Sequence, residues 1–353
     1  MVLERKNTKE VDIGGVVIGG KNRVALQSMC NIKTSFKEEV LAQVKRLKEV
    51  KCDIARLSVF DNADALALGE LVQKSPLPLV ADIHFNANFA VKAMENGVAK
   101  IRINPGNFPV KKLNYIIDCA KLQGAAIRIG VNSGSVDKAL MEEYKDKRQA
   151  LLQSVVNYVD LFEKRGFEKI ILSAKSTSVD DTVAINEALS QRFCYPLHIG
   201  LTEAGLIHQG IARNAIALYR LFSKGIGDTV RVSLTADPVE EVIAARAILK
   251  ECGLVKEGVR FISCPKCGRC QIDLEAMAKA VYEHCLLIDE PLTVAVMGCE
   301  VNGPGECADA DIGMAGQGNN KISFFKKGMI YKTVEKENAV ELFLKEIDGL
   351  CNL

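Results

Sequence analysis

The sequence has almost no net charge. Its 46 Lys and Arg face 44 Asp and Glu, for a formal charge of +2. A balance this even leaves no basic footprint for nucleic acid or an anionic membrane, so an anionic ligand must be met by arginines gathered locally. Long hydrophobic runs are missing too. No stretch is apolar for long enough to span a bilayer, and the opening MVLERKNTKEVDIGG has charges without the apolar core of a signal peptide. The expectation is a cytoplasmic protein. Low-complexity segments are absent. In a reducing compartment disulfides are disfavoured, which makes one abundance conspicuous: the chain has 12 cysteines.

What is present reads as two domains. A length of 353 residues with 48% hydrophobic content suits one large domain and a smaller one. After a short hairpin-like opening, β-branched apolar runs alternate with amphipathic stretches of helical period. The runs are VALQSMC, DIARLSV, PLVADIH, AKIRIN, AIRIGVN, KIILSAK, PLHIGLT and DTVRVSL. Eight strand–helix repeats between Val24 and Leu234 predict a (β/α)8 TIM barrel over residues 1–250. An open doubly wound sheet is the alternative. No G-x-G-x-x-G follows the first run, which weakens its dinucleotide-binding version. Residues 251–263 read as a hinge, and 264–353 as a small α+β domain holding the clustered cysteines.

Polar residues recur at or near the C-terminal halves of the predicted strands: Arg56, Asp82, His84, Arg102, Asn104, Arg128, Asn132, Lys175, His198, Glu203 and Arg231. In a barrel that is the catalytic face. Four runs share a phrase, ARLS, IRIN, IRIG and VRVS. An arginine inside a buried strand is costly unless an anion or carboxylate meets it. The cations outnumber the carboxylates among these residues, and guanidinium forks match phosphate oxygens, so a phosphorylated ligand is expected.

The cysteines gather in SCPKCGRC and MGCEVNGPGE. Cys264-x-x-Cys267 is common to zinc and iron–sulfur sites. Cys270 extends the motif, and Cys299 opens a glycine-rich loop that ends at Glu306 beside Cys307. Spacing leaves three readings open: a closed structural zinc site, a four-thiolate electron-transfer cluster, or a catalytic cluster whose carboxylate ligand can give way. The scattered Cys30, Cys52, Cys119, Cys194, Cys252, Cys285 and Cys351 read as small hydrophobes.

Taken together, SCPKCGR, MGCEVNGPGE, ADIHFN, RINPGN, RIGVNSGS, TEAG and GIGDTVRVSL resemble the bacterial 4-hydroxy-3-methylbut-2-enyl diphosphate synthase family in its compact form. The resemblance implies a 4Fe-4S cluster on Cys264, Cys267, Cys299 and Glu306. It gives no ligand role to Cys270 or Cys307. The implied substrate is 2-C-methyl-D-erythritol 2,4-cyclodiphosphate, and the implied electron donor is flavodoxin or ferredoxin. A homodimer is implied as well. On that basis Arg56, Arg102, Arg128 and Lys175 are expected to clamp phosphates, and Asn104, Asn132 and His198 to orient the carbon skeleton. Glu203 is expected to donate a proton to the departing hydroxyl. Asp82 would hold an arginine or a substrate hydroxyl, and Arg231 would give support. The rival class is a barrel carrying a redox-sensing metal domain, which has no need for arginines at several strand ends.

Overall fold

The computed structural model describes residues 4–84, 86–105, 108, 110–301, 305 and 308–351. The chain divides into two compact units, Met1–Val255 and Lys256–Leu353.

The first unit begins with a hairpin, β1 (Val11–Ile13) and β2 (Val16–Ile18). Its two-residue loop is Gly14-Gly15, both at positive φ, the backbone that a tight hairpin loop requires. Eight parallel strands follow: β3 (Ala25–Met29), β4 (Ile54–Val59), β5 (Leu79–Ile83), β6 (Lys100–Ile103), β7 (Ala126–Asn132), β8 (Ile170–Lys175), β9 (His198–Ile199) and β10 (Thr229–Val230). They pair in the order β8-β7-β6-β5-β4-β3-β10-β9. A parallel bridge between Leu172 and Leu197 joins the two ends, so the sheet closes and the open-sheet alternative falls.

Each of the eight expected runs contains a strand. Those in PLHIGLT and DTVRVSL are only two residues long, and the first ends where the chain turns at Gly200, whose φ is +138°. Helices between the strands start on side-chain caps. Asp61 accepts from the Asp64 amide, Ser178 from Asp181, and Asp237 from Val239 ahead of a helix with proline at its start.

The barrel interior is layered. Val11, Ile13 and Ile18 of the hairpin pack against Ala25, Ile54, Val80, Ala126 and Ile171, which are at or near the beginnings of their strands. This apolar plug fills the N-terminal end. Above it the inward side chains turn polar.

The second unit is a five-stranded sheet in sequential order: β11 (Arg260–Ser263), β12 (Thr293–Met297), β13 (Ile312–Gln317), β14 (Lys321–Lys326) and β15 (Met329–Glu335). The first three run parallel and the rest antiparallel. The helices Leu274–Cys285 and Lys336–Cys351 share its core with Val294, Val296, Ile312, Met314 and Phe324. Gly313 lies against the Phe325 ring, where a Cβ would come within 2.1 Å of the ring carbon Cζ. Of residues 251–263, expected as a hinge, Glu251 is the last residue of a helix. The last four of them form β11, because Phe261 packs on this core. Among the described residues no helix is long and apolar enough to cross a membrane.

Candidate active site and cysteine site

At the C-terminal ends of the barrel strands a cavity of about 130 Å³ is lined by Arg56, Asp82, His84, Arg102, Arg128, Gly130, Asn132, Ser173, Lys175, Thr202, Arg231 and Ser233. The strand register explains the gathering. Asp82 stands beside Arg102, Arg102 beside Arg128, and Asn132 beside Lys175, and Arg128 and Asn132 are an even number of residues apart on β7, so all of them share the inward face.

Asp82 is the hub. Arg102 Nη1 lies 3.1 Å from it, His84 Nε2 3.6 Å and Arg56 Nε 3.9 Å. Burial alone would raise this carboxyl, but Arg56, Arg102 and the others outweigh it and hold Asp82 well below the usual carboxylate range. Arg102 also donates to the Gly130 carbonyl at 2.9 Å. A Cβ at Gly130 would sit 2.9 Å from Arg102 Nε, so the glycine makes room for the guanidinium. Arg231 forms a two-pronged pair with buried Glu241, at 2.9 and 2.8 Å. It is thereby tied within the fold. Arg56 donates to the thioether sulfur of Met29 from both Nε and Nη2.

Five cationic side chains thus share two carboxylates, Asp82 and Glu241. Arg128 is wholly buried, and its Nε and Nη1 find no hydrogen-bond partner among the described residues. Burial, then repulsion from Arg56 and Arg102, pushes its pKa well below the arginine norm. Burial, then repulsion from Arg231 and Arg102 against the pull of Asp82, lowers Arg56 to about 10, and burial followed by Arg128 and Arg231 lowers Lys175 well below the lysine norm. Such a cluster is suited to receive negative charge.

Three expected site residues stand apart from this lining. Asn104 is buried and donates to Ser135 Oγ at 2.8 Å. His198 lies wholly buried in the layer beneath, its Nδ1 3.4 Å from Thr229 Oγ1 and its Nε2 without a hydrogen-bond partner among the described residues. Glu203 is exposed in a turn at φ +52°. Ser173, Thr202 and Ser233 line the cavity and carry no signal in the sequence beyond their places at strand ends. Lys100, fully buried within AKIRIN, is a strand cation of the same kind as the strand arginines.

The cysteine site is in the second unit. β11 and β12 are parallel neighbours, and the chain leaves them at Cys264 and at Gly298-Cys299. The Gly298 amide donates to Cys264 Sγ at 3.2 Å. Cys299 is buried and Cys267 exposed, in the turn closed by the Cys270 amide on the Cys267 carbonyl. Cys270 points its thiol at the Ile272 carbonyl, 3.3 Å away, and packs on the core. Glu306 and Cys307 lie outside the described residues. Among the described residues no three His, Cys, Asp or Glu side chains converge tightly enough to hold a metal by themselves. Thiols at adjacent strand ends, with a backbone N–H already aimed at one sulfur, are nonetheless the donor set that an iron–sulfur group takes. Of the scattered cysteines, Cys30, Cys52, Cys119, Cys285 and Cys351 are buried as expected. Cys252 is half-buried, and Cys194 is exposed against expectation.

Comparison with known proteins joins the two sites. The family model described as the GcpE TIM-barrel domain matches residues 8–246, and that of the GcpE protein C-terminal domain matches 260–349. The chain belongs to the GcpE family. Its relatives include proteins named 4-hydroxy-3-methylbut-2-en-1-yl diphosphate synthase (flavodoxin). That of Clostridium perfringens is 46% identical over 99% of this chain and 100% of its own. That of Caldanaerobacter subterraneus is 46% identical over 99% of both, and that of Desulfotalea psychrophila 46% over 99% and 97%. The cavity falls in the GcpE barrel domain and the cysteines in the GcpE C-terminal domain.

Proposed function

We propose that this chain carries out the reductive ring opening and dehydroxylation of 2-C-methyl-D-erythritol 2,4-cyclodiphosphate, giving (E)-4-hydroxy-3-methylbut-2-enyl diphosphate with flavodoxin as electron donor. The reaction takes up two electrons and one proton and releases water. The observation that carries the reading is the buried set of cations at the barrel mouth, whose charge exceeds that of its carboxylates. A compact dianion supplies what that set lacks. The names of the full-length GcpE relatives support the same reaction.

Arg56, Arg102, Arg128 and Lys175 hold the two phosphates by charge-assisted hydrogen bonds. Arg128 offers two donors that no protein group engages among the described residues. Asp82 keeps Arg102 in place, and Glu241 does so for Arg231. Asn132 lines the cavity and is placed to orient the hydroxyls. Asn104 and His198 act from behind the lining. Glu203 supplies the proton that leaves in water. Cys264, Cys267, Cys299 and Glu306 hold a 4Fe-4S cluster. When bound, the cluster supplies the electrons.

The test is protein purified without oxygen. It should contain iron and sulfide, and should convert the cyclodiphosphate when reduced flavodoxin is added. A protein with zinc and no turnover would overturn the assignment.

A further inference from the structure

Lys100 springs from β6 into the barrel and is fully buried. Its register neighbours are Val80 and Ala126, both part of the apolar plug. Its amine reaches Gln27 on β3 and donates to Oε1 at 2.9 Å. It forms no ion pair among the described residues. The carboxylates of the layer above are engaged, Asp82 by Arg102 and Glu241 by Arg231. From the other walls Arg56 on β4 and Arg128 on β7 act on it as like charges, and it acts in turn on His198 of β9, whose Nδ1 lies 3.4 Å from Thr229 Oγ1 of β10.

We propose that Lys100 is uncharged in the free protein and takes up a proton when the anionic substrate settles above it, acting as a positioning charge. The proposal rests on the cyclodiphosphate reading of the cavity. A buried ammonium with an amide oxygen as its partner and two guanidiniums nearby is disfavoured, first by burial and then by like charge. Arginine keeps its proton under such pressure, whereas lysine gives it up. A bound dianion reverses the local field and favours the charged amine. Each phosphorus of a cyclodiphosphate carries one strongly acidic oxygen and no second ionisation, so the ligand does not titrate near neutrality. The proton must therefore end on the protein. The sign follows: where Lys100 is charged with ligand and neutral without it, binding consumes a proton and affinity falls as pH rises. Lys175 and His198 are also held below their ordinary values, so the variant must separate Lys100 from them.

Calorimetric titration of the cyclodiphosphate into anaerobic holoprotein, in two buffers of different ionisation enthalpy at about pH 8, counts the protons. Wild type should take up protons. Lys100→Met should take up about one fewer and bind about tenfold more weakly, with a flatter pH profile. Lys100→Arg, permanently charged, should lose the same proton and keep its affinity. Lys100→Met leaves buried Gln27 Oε1 without its donor and should melt lower than wild type. If it does not fold, the count in Lys100→Arg against wild type decides. A wild-type proton count in either variant overturns the proposal, including a Lys100→Met that merely binds more weakly. Wild type that binds no cyclodiphosphate overturns the reading of the cavity itself, so the two failures are distinguishable.

Discussion

Cys270 turns its thiol toward the Ile272 carbonyl, whereas Cys264 receives the Gly298 amide and Cys299 follows that glycine directly. Spacing alone leaves these thiols equivalent, and hydrogen bonding distinguishes Cys264 from Cys270. Replacing Cys264, Cys267 or Cys299 by serine should leave protein with little iron, and Cys270→Ser should retain it, as measured by iron analysis and visible absorbance. The arginines divide in the same manner. Arg128 has unengaged donors and like-charged neighbours, so Arg128→Ala should weaken substrate binding by about 1.5–3 kcal/mol while leaving the melting temperature unchanged or higher. Arg231→Ala should instead lower the melting temperature, because it strands the buried Glu241 carboxylate. Calorimetry and thermal melts on the two variants check both outcomes. Glu203→Gln keeps the shape of an exposed side chain and should bind substrate as wild type does, with a fall in kcat visible in single-turnover assays.

At the level of elements, the turn after β9 carries the tightest constraint. Gly200 holds φ +138°, and a Cβ there would lie 2.1 Å from the Arg231 carbonyl oxygen and 3.1 Å from Lys175 Nζ. Gly200→Ala should therefore cost at least about 1–3 kcal/mol of stability and displace two cavity cations together, seen as a lower melting temperature and weaker binding of pyrophosphate. The eight barrel strands were legible because parallel strands buried on both faces read as continuous β-branched runs bounded by helical periods. Their lengths were not. Nothing in PLHIGLT announces that the ladder stops at Ile199, since that depends on a glycine conformation and on the neighbouring carbonyl of Arg231. The strand arginines were legible from the cost of burying charge. The withdrawal of His198 to a lower layer was not, because period-2 alternation gives the face of a strand and not the height of a residue along the barrel axis. The start of β11 was hidden for a related reason: Arg260 and Ser263 are exposed at an edge strand, and the run looks like a connection.

At the scale of the whole molecule, the chain keeps separate cores for its two units, one around the barrel and one on the five-stranded sheet. A ligand held by barrel residues should slow hydrogen exchange in β4 to β8 and leave β13 to β15 at their free rates. Unchanged exchange in β4 to β8 would count against a binding site built from barrel residues. The hairpin at the start of the chain bears on traffic through that site. Val11, Ile13 and Ile18 stopper the end of the barrel opposite the cavity. Among the described residues the vessel is blind, open at the strand C-termini alone. With the substrate held there as proposed, substrate would enter and product leave by the same end, so the two could not pass each other in transit. Each turnover would then have to empty the chamber before the next begins, and accumulated product should compete directly for entry.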